Sequence, residues 1–401
     1  MAKTCVFCGE KPHEKSKEHI IPKWLIEFTG DLKRVIQLGE KNIAFDQMTF
    51  PACDKCNNEF SDLEGKCKVA LLKIFDEKEI LEEDLNNLLD WFDKVRIGIW
   101  LLSLRMVNFF PEFTEDFEPK FHIKTRVRKA DRLLKIKKLN NSRKGINVIG
   151  TITPHFLTTP SCFGLIINNY LFTNISYSLL FNDKLGFPKI KKILFDENLN
   201  MSVSLSNSAG KIKRPIVLDI LENSCTTIFQ PIVPAPAVKF MDKSRKEKLL
   251  YKPYTEGIGR FFIFDGNYSF FKKRILKLET YESSWSERED MLIFYNEISM
   301  IQEHLQKKIM TIPKFSKDVP HSVRAILKEN MHITTVTHSM LYKKAFDESL
   351  NSSVNDLVEY TKQIDSKSDP IRMHSKIKSL MEYKVRKGRG EKIYLDLKPK
   401  A

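Results

Sequence analysis

Apolar positions along the chain fall first into a short, turn-rich stretch, then into two helical stripes, then into a long series of alternations. In LEGKCKVALLKIF, Leu63, Cys67, Ala70, Leu71 and Ile74 recur at helical spacing, so a helix is expected from about residue 61. A second is expected across EEDLNNLLDWFDKVRIGIWLLSLRMVNFF, ending before Pro111. Its middle, residues 95–104, is apolar nearly all round apart from Arg96, which calls for burial between other elements. Between about 145 and 280, INVIGTITPHFL, FGLIINNYLFTNISYSLLF, MSVSLSN and RPIVLDIL read as strands separated by Asn, Gly and Pro turns. VPAPAV, residues 233–238, reads as an extended connector. From Ser284 the pattern turns helical again, through a capping box Ser284-x-x-Glu287 and on to about residue 364, before a basic tail.

These elements define an α+β chain in four segments. They are a cysteine-rich module over 1–66, a helical connector over 67–120, a basic segment with a strand-rich α+β domain over 121–280, and a helical C-terminal region over 281–401. The run CFGLIINNYLFTNISYSLLF, residues 162–181, carries no charge and is long enough to span a bilayer. Asn168, Asn169 and Asn174 would each be costly in hydrocarbon, so two buried strands with a turn near Asn168-Asn169 are expected instead. The N-terminus lacks the apolar core of a secretory signal, and a cytoplasmic protein is expected.

Composition adds a partner class. Hydrophobic residues at 42% and aromatics at 11% supply a sizeable core, which argues against a disordered chain. Lys plus Arg number 66 against 51 for Asp plus Glu, a formal charge of +15 that suits a polyanion, either nucleic acid or an anionic surface. Ten of those cations, against one Asp, fall in residues 121–144. Lys124, Arg126, Arg128, Lys129, Arg132, Lys135, Lys137 and Lys138 are therefore candidate phosphate contacts, with an ordinary solvated face as the alternative.

Chemistry concentrates near the N-terminus. Four of the seven cysteines form two CxxC pairs, Cys5/Cys8 and Cys53/Cys56. In a chain expected to be intracellular, two such knuckles point to one tetrahedral zinc rather than to disulfides. Forty-four residues separate the pairs, and among them lies KEHIIP, residues 17–22, with an acid beside a histidine at the head of an apolar step. A neutral imidazole at His19 can take a proton from water. Glu18 offers a carboxylate and Asn57, immediately after the last knuckle cysteine, offers an amide oxygen; both suit a hard cation such as Mg²⁺ or Mn²⁺.

This arrangement of Cys5, Cys8, Glu18-His19-Ile20-Ile21-Pro22, Cys53, Cys56 and Asn57 resembles the HNH endonucleases of the ββα-metal fold. The likeness is to the subfamily with C-x2-C, EHIIP and C-x2-C-N elements, and it covers about residues 1–66. It implies that His19 is the general base, that Glu18 and Asn57 hold a catalytic divalent ion, and that the zinc is structural. Ser61, one helical turn beyond Asn57, could face the same ion. It also implies DNA as the substrate and a setting in mobile elements or antiphage defence. Position 48, where many HNH sequences place a middle Asn near the third cysteine, is Met; Asn42, Asp46 and Gln47 are unranked substitutes.

Plainer roles remain for the other residues. Asn58, Glu59, Asp62 and Glu64 are expected to cap and solvate the first turn of the following helix. Cys67, Cys162 and Cys225 are expected to be small buried hydrophobes. The remaining histidines form no ligand spacing. Two rival functions stand beside the nuclease. One is a non-enzymatic zinc protein that binds nucleic acid as a regulator or scaffold; the other is an HNH core that cuts RNA. The C-terminal region is a candidate surface for a protein partner or a second copy.

Overall fold

Strand β1 (Ser16–His19) pairs antiparallel with β4 (Thr49–Ala52), so that Glu18 stands opposite Phe50 and His19 opposite Thr49. The 44-residue spacing between the knuckles is taken up here. Between β1 and β4 run helix α1 (Lys23–Phe28), a hairpin of β2 (Val35–Leu38) and β3 (Lys41–Ala44), and a 3₁₀ turn, Phe45–Gln47. Ile20 and Ile21, at the end of β1, are buried and anchor the turn into α1. The computed structural model describes residues 4–11, 16–30, 35–38, 41–106, 122–140, 144–151, 156, 160–177, 188–195, 201–209, 217–221, 225–233, 238, 241–251, 257–264 and 275–277, with residues 283, 290, 291, 293–295, 297, 298, 301 and 304. The chain divides into units 1–335 and 336–401, and all described residues lie in the first. The helices expected beyond residue 304 and the basic tail lie outside the described residues.

Helix α2 (Asp54–Phe75) begins seven residues before the expected start. The reason lies in the knuckle itself: Cys53 is the extended N-cap and Cys56 already sits in the first turn, so the cysteine pair opens the helix instead of preceding it. The buried stripe of Cys56, Phe60, Cys67, Ala70, Leu71 and Ile74 keeps the expected 3.6-residue period. After β5 (Glu79–Leu81), helix α3 (Glu82–Met106) starts where Asp84 accepts a hydrogen bond from the backbone N–H of Leu81 at 2.9 Å. As its all-round apolarity required, every residue of α3 from Leu88 to Ser103 is buried.

The larger sheet has six antiparallel strands in the order β13-β12-β6-β9-β8-β7. They are β6 (Asp131–Lys138), β7 (Ile146–Ile149), β8 (Cys162–Ile167), β9 (Tyr170–Tyr177), β12 (Thr226–Gln230) and β13 (Phe262–Phe264); a separate hairpin joins β10 (Pro188–Phe195) to β11 (Met201–Ala209). The uncharged run 162–181 gives β8 and β9 about a turn at Asn168, whose φ of 53° suits Asn. No described helix is long and apolar enough to cross a membrane. RPIVLDIL, expected as a strand, instead contributes a single helical turn, Val217–Ile220. Its apolar Val217 and Leu221, four residues apart, share a face in a helix and in a strand alike; both are buried in the second core, and the Leu221 N–H donates to the Val217 carbonyl at 3.1 Å, closing a helical turn.

Both faces of this sheet are covered, which explains the charged strand β6. Leu134 and Ile136 face the core shared with α2 and α3, whereas Leu133 faces a second core with Phe294, Ile298 and Ile301. On the α3 side, Arg132 donates to Asp90, Asp93, Asn86 and Gln230, and Arg96 donates to Asp93, to the Asn174 amide oxygen at 2.9 Å and to the Pro160 carbonyl at 2.6 Å. Burial alone would push Asp90 up, but Arg132 and Arg128 outweigh it and hold its carboxyl below the usual range. On the other face, Lys135 meets Glu297 at 2.6 Å and Lys137 meets Asp290. A buried ion pair adds little net stability, but losing one member leaves the other charge stranded. Replacing Arg132 by Met should therefore cost about 3 kcal/mol or more in urea unfolding, through Asp90 and Asp93. A loss under about 1 kcal/mol would mean that water reaches those carboxylates.

Candidate metal and catalytic site

The first knuckle is a tight turn. Gly9 takes φ 80° and donates to the Cys5 carbonyl at 2.8 Å, while Cys5 donates to the Glu10 carbonyl at 2.8 Å. A side chain at Gly9 would strike the His122 ring, because a Cβ there would lie 2.2 Å from His122 Nε2. The knuckle is fastened on both sides. Val6 donates to the Pro51 carbonyl of β4 at 2.9 Å, and the backbone N–H groups of Ile123 and Lys124 donate to Val6 and Phe7 at 3.0 and 3.1 Å. Phe7 stacks on Phe60 of α2 with centroids 3.9 Å apart.

These contacts bring Cys5, Cys8, Cys53 and Cys56 together, with all four sulfurs within 4.8 Å of one another. Among the described residues it is the one group of three or more His, Cys, Asp or Glu side chains close enough to share an ion. The Cys8 and Cys53 sulfurs stand 3.8 Å apart, far beyond a disulfide, and all four thiols are free. A tetrahedron with metal–sulfur bonds of about 2.3 Å has edges close to this length. The four cysteines can hold a structural metal ion such as zinc. Burial pushes the Cys8 and Cys56 thiols up. Burial also opposes ionisation of Cys5, but the backbone N–H groups of Cys53, Cys8 and Phe7 bring it below its ordinary value. Four close thiolates need a cation. Lys124 supplies part of that charge from outside, since its ammonium bonds to Cys56 as well as to Glu59.

The cluster fixes the start of α2 beside the β1–β4 pair. Glu18 is buried, its side chain 11% exposed, and His19 is half-buried at the end of β1. Asn57 lies on the first turn of α2, and its Oδ1 is buried with no hydrogen-bond partner. Ser61 is exposed one turn further on, and Glu64 continues the same stripe of the helix. Glu64 does not merely solvate the helix start as expected. It is largely buried and paired to Lys94 of α3, with burial pushing its carboxyl up to about 7 against the pull of that lysine. The Lys94 ammonium also donates to Glu18 Oε1 at 2.6 Å and to the His19 carbonyl at 2.9 Å. Neither Glu64 nor Lys94 carries a motif signature. The available signal was a lone lysine inside an apolar helix, which must find a carboxylate.

The substitutes for the middle HNH position, Asn42, Asp46 and Gln47, are exposed, while Met48 is buried and accepts the Ile20 N–H at 2.9 Å. Of the basic segment, Arg132, Lys135 and Lys137 are interior and paired. Lys124 lies at the cysteines, Arg126 over the Trp100 ring, Arg128 on Asp90 and Lys138 near Glu77, whereas Lys129 is exposed. No family model, curated protein or solved structure matches this chain.

The cysteine geometry predicts one tightly bound zinc per chain by elemental analysis. Cys53→Ser should lose it together with order in residues 4–60, because structural zinc is worth on the order of 10 kcal/mol to such a module. Release to a chelator should accelerate as pH falls, since protons compete for the thiolates. A pH-independent release rate would place the zinc elsewhere.

Proposed function

We propose that the N-terminal module is an HNH-type, metal-dependent endonuclease of ββα-metal architecture, acting on DNA. One observation carries the reading. The antiparallel pair β1–β4 runs directly into α2, and the cysteine cluster joins them so that Glu18, His19 and the unpartnered Asn57 Oδ1 belong to one unit of paired strands and helix. An amide oxygen that is buried without a donor is costly unless something else supplies the missing interaction, and a divalent ion would. The donor set is right for Mg²⁺ or Mn²⁺ and wrong for a second zinc, being carboxylate and amide oxygen. Glu18 retains acceptor capacity beyond the oxygen that Lys94 occupies.

Glu18 and Asn57 would hold this ion, with the Ser61 hydroxyl on the same stripe. Such an ion, when bound, offsets charge that builds on the scissile phosphate and the leaving oxygen. His19 takes the proton of the attacking water; its backbone is fixed by pairing with Thr49 and by the bond from Lys94, which leaves the ring to act from a rigid strand end. The C-terminal part of unit 1–335 would carry or control the substrate. One observation favours the rival, a non-catalytic zinc protein that binds nucleic acid: Glu18 is already paired with a lysine, as a structural carboxylate would be.

Purified zinc-loaded protein should nick or cut plasmid with Mg²⁺ or Mn²⁺ and not with EDTA. His19→Ala should keep the fold and zinc while cleavage falls by roughly 10² to 10⁴, the scale of a lost general base. A folded His19→Ala protein that cuts at the wild-type rate would hand the case to the rival. Cleavage of RNA in preference to DNA would keep the chemistry and change the substrate.

A further inference from the structure

Lys94 is among the largest fully buried side chains described, and its side chain is 1% exposed. An ammonium has three donors, and all three are used: on Glu18 Oε1, on Glu64 Oε1 and on the His19 carbonyl. Two of these acceptors belong to consecutive residues of β1 and the third to α2. The lysine itself comes from α3. One turn along α3, Gly98 receives the Ile20 side chain so closely that a Cβ there would lie 3.0 Å from Ile20 Cγ2. One turn before Lys94, Asp90 is held by Arg128 and Arg132. The Glu18-His19-Ile20 step is thus seated against a single stretch of α3, and that stretch is itself tied into the six-stranded sheet.

This placement ties three parts of the candidate site to one cation. A buried ammonium must satisfy three donors in any case; what matters here is that its acceptors are the Glu18 carboxylate, the His19 carbonyl and a carboxylate on the helix that carries Asn57. We propose that Lys94 is a positioning residue for the candidate site: it fixes the Glu18 carboxylate and the His19 carbonyl together, and the division of its charge between Glu18 and Glu64 sets how strongly Glu18 binds a divalent ion. The inference rests on the nuclease reading. Lys94 and the ion compete for the Glu18 charge, and Glu64 draws Lys94 away from Glu18. The sheet-borne part of the protein thereby has a lever on metal loading through α3.

The test uses full-length zinc-loaded protein, with Mn²⁺ as probe, followed by the electron paramagnetic resonance of free Mn²⁺ and by single-turnover plasmid cleavage. In Glu64→Gln the lysine turns wholly to Glu18. Mn²⁺ affinity should fall by about tenfold, the lower end of the usual effect of a partner one shell out. The maximal rate should change less than the half-saturating Mn²⁺ concentration. In Lys94→Met the two carboxylates lose their cation, so Mn²⁺ should bind more tightly while the maximal rate drops, because the His19 carbonyl has lost its anchor. If Lys94→Met does not fold, Glu64→Gln still decides. Glu64→Gln with wild-type Mn²⁺ affinity, in a protein that binds Mn²⁺ and cuts, overturns the role of Lys94 alone. A wild-type protein that neither binds Mn²⁺ nor cuts overturns the nuclease reading and this inference with it.

Discussion

Four sulfurs held within 4.8 Å of one another are the constraint on which the N-terminal module depends. The two turns that carry them are separated by the whole of α1 and the β2–β3 hairpin. A metal ion held by the four cysteines would join the first knuckle to the start of α2. That junction sets where Asn57 stands relative to β1. The backbone bonds of the first knuckle to β4 and to Ile123 and Lys124 extend the constraint into the rest of the chain. Lys124, bonded to a thiol, completes it as a nearby positive charge of the kind that steadies thiolates.

A second layer of order comes from charges buried on α3. Asp90, Asp93, Lys94 and Arg96 lie within two turns of a helix that is otherwise apolar there, and each is hydrogen-bonded. Lys94 faces the Glu18-His19 step, while the other three face β6 and β9. Such networks add little to stability against an apolar alternative, but a shift of the helix on the sheet would strand their charges. The candidate site is accordingly positioned by the core of the larger sheet as well as by the four-cysteine module, and one continuous apolar cluster runs from Cys5 to Ile263.

What the sequence made legible was periodic or local. Helices α2 and α3, the β8–β9 hairpin about Asn168 and the four-cysteine cluster all follow from spacings within a few residues or from paired motifs. What it hid depends on partners far away in the chain. The strand DRLLKIKK reads as a basic surface because Glu297 and Asp290, which neutralise Lys135 and Lys137, lie more than 150 residues later. Glu64 reads as a solvated helix residue because its cation, Lys94, belongs to the next helix. Val217 and Leu221 were open to either period, and the sheet face beneath them decided for a helical turn.

The proposed chemistry gives His19 and Asn57 different duties. The decisive measurement is single-turnover plasmid cleavage against Mg²⁺ concentration for His19→Ala and Asn57→Ala, both zinc-loaded and with melting curves beside them. Asn57→Ala would remove a proposed ligand, so rising Mg²⁺ should restore much of its rate, whereas no concentration should restore His19→Ala, because no cation replaces the imidazole. Equal rescue of the two variants, or of neither, would contradict the division of labour on which the proposed mechanism is built.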